Sequence, residues 1–261
     1  MFKNLSYTLL FCLSLSSLTA FAADLAIVID DVGYNEYQGR RAMSLPGQVN
    51  LAVLPFAPHT QSLIKQASER DIEIIIHQPM EPQPAPHVTI EHDTLTMGMA
   101  AEEISMRVQR ALEAVPQRVG VSNHAGSLLT QHAAPMRTLM HTLREHGLFF
   151  LDSRTTAATV AEQTAIEQGV VALRRDVFLD HVRTPEAIHA AFQRVKDIAR
   201  TKGSAILIAH PYPISLSYLE QSLAELPDDI RLVKLSDLAL RRQASFALRL
   251  NPTSLHISHG Q

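Results

Sequence analysis

The chain has 261 residues, of which 46% are hydrophobic and 19% charged, and its formal net charge is −3. This apolar fraction is ordinary for a globular protein and excludes a disordered chain, and the length allows a single domain. No run of five like charges occurs, which argues against a nucleic acid or an anionic membrane bound by a basic face. The single cysteine excludes an internal disulfide.

The first 22 residues have the pattern of a cleaved secretory signal. Lys3 precedes an apolar stretch from Leu9 to about Leu18, and the segment ends in a small-x-small cleavage pattern at Ala22. The apolar stretch is short and contains several serines, whereas a membrane-spanning helix needs about 20 mostly apolar residues. We therefore predict cleavage after Ala22 and export to the periplasm, with no stable membrane anchor afterwards.

The predicted signal also contains the only cysteine, Cys12, which is not at the cleavage junction, so a lipoprotein anchor is not expected. The mature protein would then contain no thiol, which suits an oxidising compartment. We predict one domain over residues 23–245 and a C-terminal tail over residues 246–261.

Short β-branched runs alternate with amphipathic segments along the rest of the chain. The clearest helix begins at Thr184-Pro185, in N-cap and N1 order, and ends at Gly203. Helical segments that alternate with continuous apolar strands predict an α/β fold, in which helices cover a parallel sheet that is either open or closed into a barrel. In chain order, strands are predicted at residues 26–29, 49–54, 72–76, 119–121, 148–151, 177–179, 205–208 and 232–235, and helices at 104–115, 136–143 and 184–203.

An aspartate or a histidine follows most of these predicted strands. In parallel α/β folds, ligands and chemistry gather beyond the carboxyl ends of the strands. One such aspartate is often only a helix N-cap, and one such histidine is more often a loop residue than a ligand. Several aspartates and histidines at the same end of a sheet would instead share one cleft. They are Asp30, Asp31, His77, His124, Asp152, Asp180 and His210.

Two adjacent carboxylates at the end of a buried strand need a cation between them, or one must keep its proton. A divalent metal would resolve this for Asp30 and Asp31, and His77 and His124 offer the nitrogen donors that zinc prefers. An Asp-His-His set with positions open to water is typical of catalytic zinc sites, in which the metal polarises a carbonyl and activates water. The free carboxylate would accept the proton, and His210 would protonate the departing group.

Weaker candidates lie beside these residues. We count Asp152 among the catalytic residues, although a helix N-cap is an equally good interpretation. Asn123, Ser127 and Arg154 are assigned to substrate binding, with a surface position as the alternative for Arg154. No G-x-S-x-G elbow supports a serine hydrolase, and no G-x-G-x-x-G or P-loop supports a nucleotide partner.

Five segments taken together resemble the divergent polysaccharide deacetylase family, a distant branch of the NodB-homology carbohydrate esterases. The resemblance implies a distorted (β/α) barrel of about seven parallel strands and metal-dependent removal of acetyl groups from N-acetylated sugars. It also implies that Asp30 is the base, Asp31 a metal ligand and His210 the general acid. The segments are Ile29-Asp30-Asp31-Val32-Gly33, Ile76-His77-Gln78-Pro79-Met80-Glu81, Ser122-Asn123-His124-Ala125-Gly126-Ser127, Phe149-Phe150-Leu151-Asp152-Ser153 and Ile208-Ala209-His210-Pro211.

The sequence departs from the main branch of that superfamily in two places. A His-x-x-x-His metal motif is expected after the third strand, but Glu81 occupies the second histidine position. The third ligand is then either Glu81 or His124, and we favour His124. The Arg-x-Pro-aromatic-Gly segment is also absent, so the substrate contacts of ordinary deacetylases do not transfer.

The residues leave two main functions open. The first is an exported zinc-dependent deacetylase-like hydrolase that acts on N-acetylated or O-acetylated envelope polysaccharide, because base, ligands and acid all keep competent residue types. The alternative is a non-catalytic envelope protein that binds a glycan or a protein on the same scaffold, because aromatics make up only 5% of the chain and tryptophan is absent. A metal phosphoesterase would need more positive charge in the cleft than Arg154 offers.

Overall fold

A computed structural model describes residues 22–84, 90–91 and 93–250, with side chains up to residue 245. All of the predicted signal peptide except Ala22, and residues 251–261 of the predicted tail, lie outside the described residues. Within the described part, no helix is long and apolar enough to cross a bilayer.

In the part of the chain that the structure describes, nine parallel strands form one sheet that curls into a half-barrel. Their order is β6-β5-β4-β3-β2-β1-β8-β7, and β9 lies beside the first residues of β1. This confirms the predicted α/β fold with a distorted barrel of parallel strands. The strands are β1 Ala23–Val32, β2 Asn50–Val53, β3 Glu73–Met80, β4 Arg118–Ala125, β5 Phe149–Asp152, β6 Ala172–Arg174, β7 Val177–Phe178, β8 Ser204–Ala209 and β9 Ile230–Leu232.

Two strand predictions need correction. β6 is not among the predicted strands, although residues 170–173 form an apolar run; only three residues of this segment, Ala172–Arg174, pair with β5. The segment predicted as a strand at residues 232–235 overlaps β9 only at Leu232. Val233 still donates its N–H to the Leu25 carbonyl of β1, just beyond β9, whereas Leu235 is the first residue of a helix, and both side chains are buried in the same apolar cluster.

Of the eight α-helices among the described residues, seven pack on one face of the sheet and the eighth lies on the other. The longest of the first seven begins at the N-cap Thr184, whose side chain accepts a hydrogen bond from the Ala187 N–H, and ends at the left-handed Gly203. The helices are α1 Glu36–Met43, α2 Thr60–Ser68, α3 Ala101–Ala114, α4 Ala133–Glu145, α5 Ala161–Glu167, α6 Pro185–Lys202, α7 Pro213–Ala224 and α8 Leu235–Leu250, with a 3₁₀ turn at Leu129–Gln131.

The strands alternate between two apolar layers. Leu25, Ile27 and Ile29 of β1 belong to the large core beneath α1–α7, whereas Ala26 and Val28 belong to a smaller core on the opposite face. The smaller core is covered by α8, through Leu235, Leu238 and Ala239. This helix continues through the first five residues of the predicted tail. Asp30, His77 and His124 lie toward the carboxyl ends of β1, β3 and β4.

Candidate metal centre and active site

The end of β1 brings two consecutive carboxylates toward one imidazole. Successive residues of a regular strand point to opposite faces. Here the pairing of β1 with β2 shifts register between Ile29 and Val32, and Asp31 has a φ of 55°, in the left-handed region. Both side chains therefore face His77, whose Nε2 lies 3.4 Å from Asp30 Oδ2 and 3.3 Å from Asp31 Oδ1. The bulge is the local reason that both aspartates reach the site.

Neighbouring strands β3 and β4 complete a three-residue cluster. His77 is paired in register with Ser122, and His124 follows two residues later on β4. The Nδ1 atom of His124 lies 2.8 Å from Asp31 Oδ1, and one donor atom from each of Asp31, His77 and His124 lies within 4.8 Å of the others. These are the three residues that the sequence predicts as metal ligands.

The donor set fits a divalent metal ion. Two imidazole nitrogens and one carboxylate oxygen make a ligand group that zinc accepts, with room left for water. Asp31 Oδ1 is buried and accepts no hydrogen bond of good geometry, although both imidazoles approach it. A buried carboxylate oxygen faced only by ring nitrogens is the arrangement expected of ligands around a cation.

Further contacts orient the two histidines. Ser122 Oγ lies 2.8 Å from His77 Nδ1, so that the Nε2 atom of His77 faces the cluster. On the outer side, His124 Nε2 lies 3.9 Å from Glu91 Oε1. Glu91 in turn accepts a hydrogen bond from the Tyr34 hydroxyl at 2.5 Å.

Glu81, the alternative third ligand, is engaged elsewhere. Its Oε2 accepts a hydrogen bond from the Met97 N–H at 2.6 Å, and its backbone carbonyl accepts from Leu128 and Leu129. It therefore ties the β3–α3 connection to the turn after β4. Of the two ligand sets that the sequence left open, the structure brings together the one that contains His124.

His210, at the end of β8, is held beside the cluster by Asp180. The ring Nδ1 lies 2.8 Å from Asp180 Oδ1, while Asp180 Oδ2 accepts from the His210 backbone N–H at 2.7 Å and from Ser215 Oγ at 2.7 Å. The other ring nitrogen, Nε2, lies 3.9 Å from Asp31 Oδ2. Sequence analysis placed Asp180 at a strand end without a role, and its buried contact with His210 identifies it as the residue that orients the ring.

The surroundings shift the pKa values of Asp30 and Asp31 in opposite directions, and they also shift that of His210. Burial raises the pKa of Asp30 despite the imidazole of His77. Burial also acts to raise the pKa of Asp31, but the two imidazoles that approach its carboxylate, His124 and His77, outweigh it and hold that pKa well below its usual range. For His210, burial lowers the pKa, but Asp180 outweighs it and raises the pKa to about 9. Asp31 is thus the carboxylate suited to remain charged, as a ligand must.

The remaining predicted residues are engaged in the loops around the cluster. Asp152 Oδ1 accepts from the Arg154 N–H and Oδ2 from the Thr159 hydroxyl. Asn123 accepts from the Ser153 N–H and donates to the Ala125 carbonyl. The hydroxyl of Ser127 accepts from the Gln83 N–H. Asp152, which the sequence assigned to catalysis, therefore has both carboxylate oxygens engaged within its own loop, and Asn123 and Ser127 likewise hydrogen-bond to neighbouring backbone.

Arg175 was not singled out in the sequence, yet it supports the same loop. Its Nε donates to the Ser153 carbonyl at 2.6 Å and its Nη2 to the Arg154 carbonyl at 2.8 Å. The guanidinium lies 3.7 Å from the centre of the Phe178 ring, which in turn stacks on His210. Burial lowers the pKa of Arg175 to about 10. No sequence motif marks it, because its partners are backbone carbonyls.

The sequence matches one family profile and a bacterial relative over most of its length. The sequence profile of the family described as "Divergent polysaccharide deacetylase" matches residues 27–239. The uncharacterized protein YibQ of Escherichia coli (strain K12) is 39% identical over 229 residues, which cover 87% of this chain and 70% of YibQ.

Two solved structures show the same architecture. The uncharacterized protein ATU2773 from Agrobacterium tumefaciens C58 superposes with a TM-score of 0.79 at 25% identity, over 84% of this chain and 90% of that one. The peptidoglycan deacetylase PdaC from Bacillus subtilis superposes with a TM-score of 0.50 at 12% identity, over 89% of this chain and 98% of that one. The likeness to PdaC shows the fold alone.

Proposed function

The chain belongs to the divergent polysaccharide deacetylase family, as the five sequence segments indicated, and from this we propose that it is an exported, metal-dependent carbohydrate deacetylase. The substrate would be an N-acetylated or O-acetylated polysaccharide of the cell envelope, and the signal-like residues 1–22 support a periplasmic location. The observation that carries the proposal is the convergence of Asp31, His77 and His124 with two proton-transfer groups, Asp30 and His210.

Asp31, His77 and His124 would hold the metal ion, for which zinc suits a set of two imidazoles and one carboxylate. When bound, such an ion polarises the acetyl carbonyl and lowers the pKa of water. The contact between Ser122 and His77 Nδ1 would keep the Nε2 atom of His77 directed at the ion.

The other residues of the site would move protons. Asp30, whose pKa is raised by burial, would accept the proton of the attacking water. As the bond between the acetyl carbon and the sugar nitrogen or oxygen breaks, His210 would donate the proton that the departing atom needs. Asp180 would keep the ring of His210 in place and stabilise its charged form.

The metal content of the mature chain, residues 23–261, is the first test of the proposal. We expect about one zinc or similar ion per chain by elemental analysis, lost in His77→Ala and retained in His141→Ala, a control on the exposed face of α4. Substitution His210→Ala should keep the metal. Acetate release from N-acetylglucosamine oligomers and from peptidoglycan should disappear in both His77→Ala and His210→Ala.

The outcomes separate the two functions that the sequence left open. Absence of metal from the wild type, with none taken up on addition, would refute the hydrolase. Metal without acetate release from any acetylated glycan would favour the non-catalytic binding protein.

A further inference from the structure

A basic cavity lies at the seam of the half-barrel, far from the candidate metal centre. Its volume is about 460 Å³, and it opens between β6 and the first residues of β1 and β8, with α8 across it. Asp24 lines the cavity at the start of β1, whereas Asp31 is seven residues further along. At about 3.3 Å per strand residue, the two lie ~20 Å apart. The cavity is therefore separate from the site described above.

The ion pairs around this cavity do not balance. Asp24 contacts the guanidiniums of both Arg231 and Arg241. Glu162 likewise contacts both Arg174, at 3.5 Å, and Arg242, at 3.1 Å.

The fifth cation, Lys202, has a carboxylate of its own in Asp176, at 3.1 Å. Five cations thus share three carboxylates, so this group of side chains has a net charge of +2. The surplus is local, because the whole chain has a net charge of −3. An anion drawn to this protein would be drawn to this cavity rather than to its surface at large.

The cations that line the cavity remain accessible to a ligand. The side chains of Arg174, Lys202, Arg241 and Arg242 are each between 42% and 54% exposed, so their ion pairs leave N–H groups open. Guanidinium groups match phosphate oxygens by paired hydrogen bonds, and a phosphate dianion carries the charge that is missing here. We propose that this cavity binds a phosphate-bearing ligand.

The competing explanation is that the ion pairs serve only to fasten α8. Arg241 and Arg242 both lie on α8 and reach Asp24 of β1 and Glu162 of α5, so they do join the helix to the rest of the fold. Arg174 and Lys202 do not lie on α8. Replacing these two therefore tests ligand binding while the contacts of α8 stay intact.

The experiment is a calorimetric titration of the mature chain with pyrophosphate at low and moderate salt. We expect saturable binding that weakens with salt, at least tenfold weaker binding in Arg174→Gln/Lys202→Gln, and no change in Arg40→Gln. Arg40 is a matched control because it forms an exposed ion pair on α1. Thermal melts check that each variant is folded, and the single variant Lys202→Gln replaces the double one if that does not fold.

Flotation with vesicles distinguishes the two sources of phosphate. Binding to phosphatidylglycerol vesicles but not phosphatidylcholine vesicles, lost in the double variant, would identify a lipid headgroup. Pyrophosphate binding without vesicle binding would identify a soluble phosphate compound. The proposal is overturned if the wild type binds neither probe, or if Arg40→Gln weakens binding as much as the double variant does. Metal content and acetate release are independent of this result.

Discussion

Replacing Asp180 by asparagine tests how His210 is held for proton transfer. Asp180 accepts three hydrogen bonds, from the ring and the backbone N–H of His210 and from the hydroxyl of Ser215, and its side chain is fully buried. Asparagine keeps the size but replaces one acceptor oxygen by an NH₂ donor, so at least one donor loses its partner. A hydrogen bond to a charged group contributes about 1.5–3 kcal/mol, and we expect a loss of at least that size in the free energy of unfolding.

The same substitution should reduce acetate release much more than it reduces metal binding. A positioned general acid typically contributes about 10²–10⁴-fold, and we expect kcat to fall within that range while KM changes little. Zinc content should stay at that of the wild type, because Asp180 does not contact Asp31, His77 or His124 in the described contacts. The control is Asp197→Asn, whose side chain is 71% exposed on α6. Full turnover in Asp180→Asn, alongside an inactive His210→Ala, would refute the positioning role.

Three further results are expected. In metal-stripped protein, the folded-state pKa of His210 is about 9, above its ordinary value near 6.5. The protonated ring therefore stabilises the fold fully below pH ~6.5, and this contribution is lost as the pH rises through 9. Urea titrations should show that the free energy of unfolding falls by up to about 3 kcal/mol over this range, and His210→Ala should abolish the fall. Zinc content measured by elemental analysis should be retained in Glu81→Gln and lost in His124→Ala, and the reverse would restore Glu81 as the third ligand. Leu235 is fully buried on α8, and Leu235→Ala should lower the free energy of unfolding by about 2–5 kcal/mol. Leu240 is 64% exposed on the same helix, and Leu240→Ala should change the free energy of unfolding little. Equal melting temperatures for the two variants would show that α8 contributes little to the core.

The sequence predicts the fold and the grouping of the candidate metal ligands for the same physical reason. Buried parallel strands are continuous apolar runs, and a polar residue directly after such a run must lie at the carboxyl edge of the sheet. His77 and His124 follow from that rule once their strands are neighbours. The bulge that turns Asp30 and Asp31 toward one imidazole has no sequence signature of its own. Their adjacency indicated a shared cation, and the family resemblance implied which of the two is the ligand and which the base.

The same rule does not separate residues that share a strand-end position. Asp152 and Asp180 both follow predicted strands, yet Asp152 bonds to its own loop and Asp180 bonds to His210. The difference depends on where the chain turns after each strand, which apolar periodicity does not encode. The sequence does not predict the cations around the basic cavity either, because positions 174, 202, 231, 241 and 242 come from four elements and form no run in the sequence.

The face of β1 that carries Asp24 and Asp30 explains why two differently charged sites coexist on one sheet. Along this face, the two carboxylates flank Ala26 and Val28, which pack beneath α8. At the start of the strand, guanidiniums from β9 and α8 neutralise Asp24 and leave positive charge over the cavity. At the end of the strand, Asp30 meets imidazoles instead. The apolar contact of α8 lies between these ends, which are ~20 Å apart along the strand, and each carboxylate is surrounded by its own partners. The difference in those partners, guanidiniums at one end and an imidazole at the other, gives the two sites their different charge.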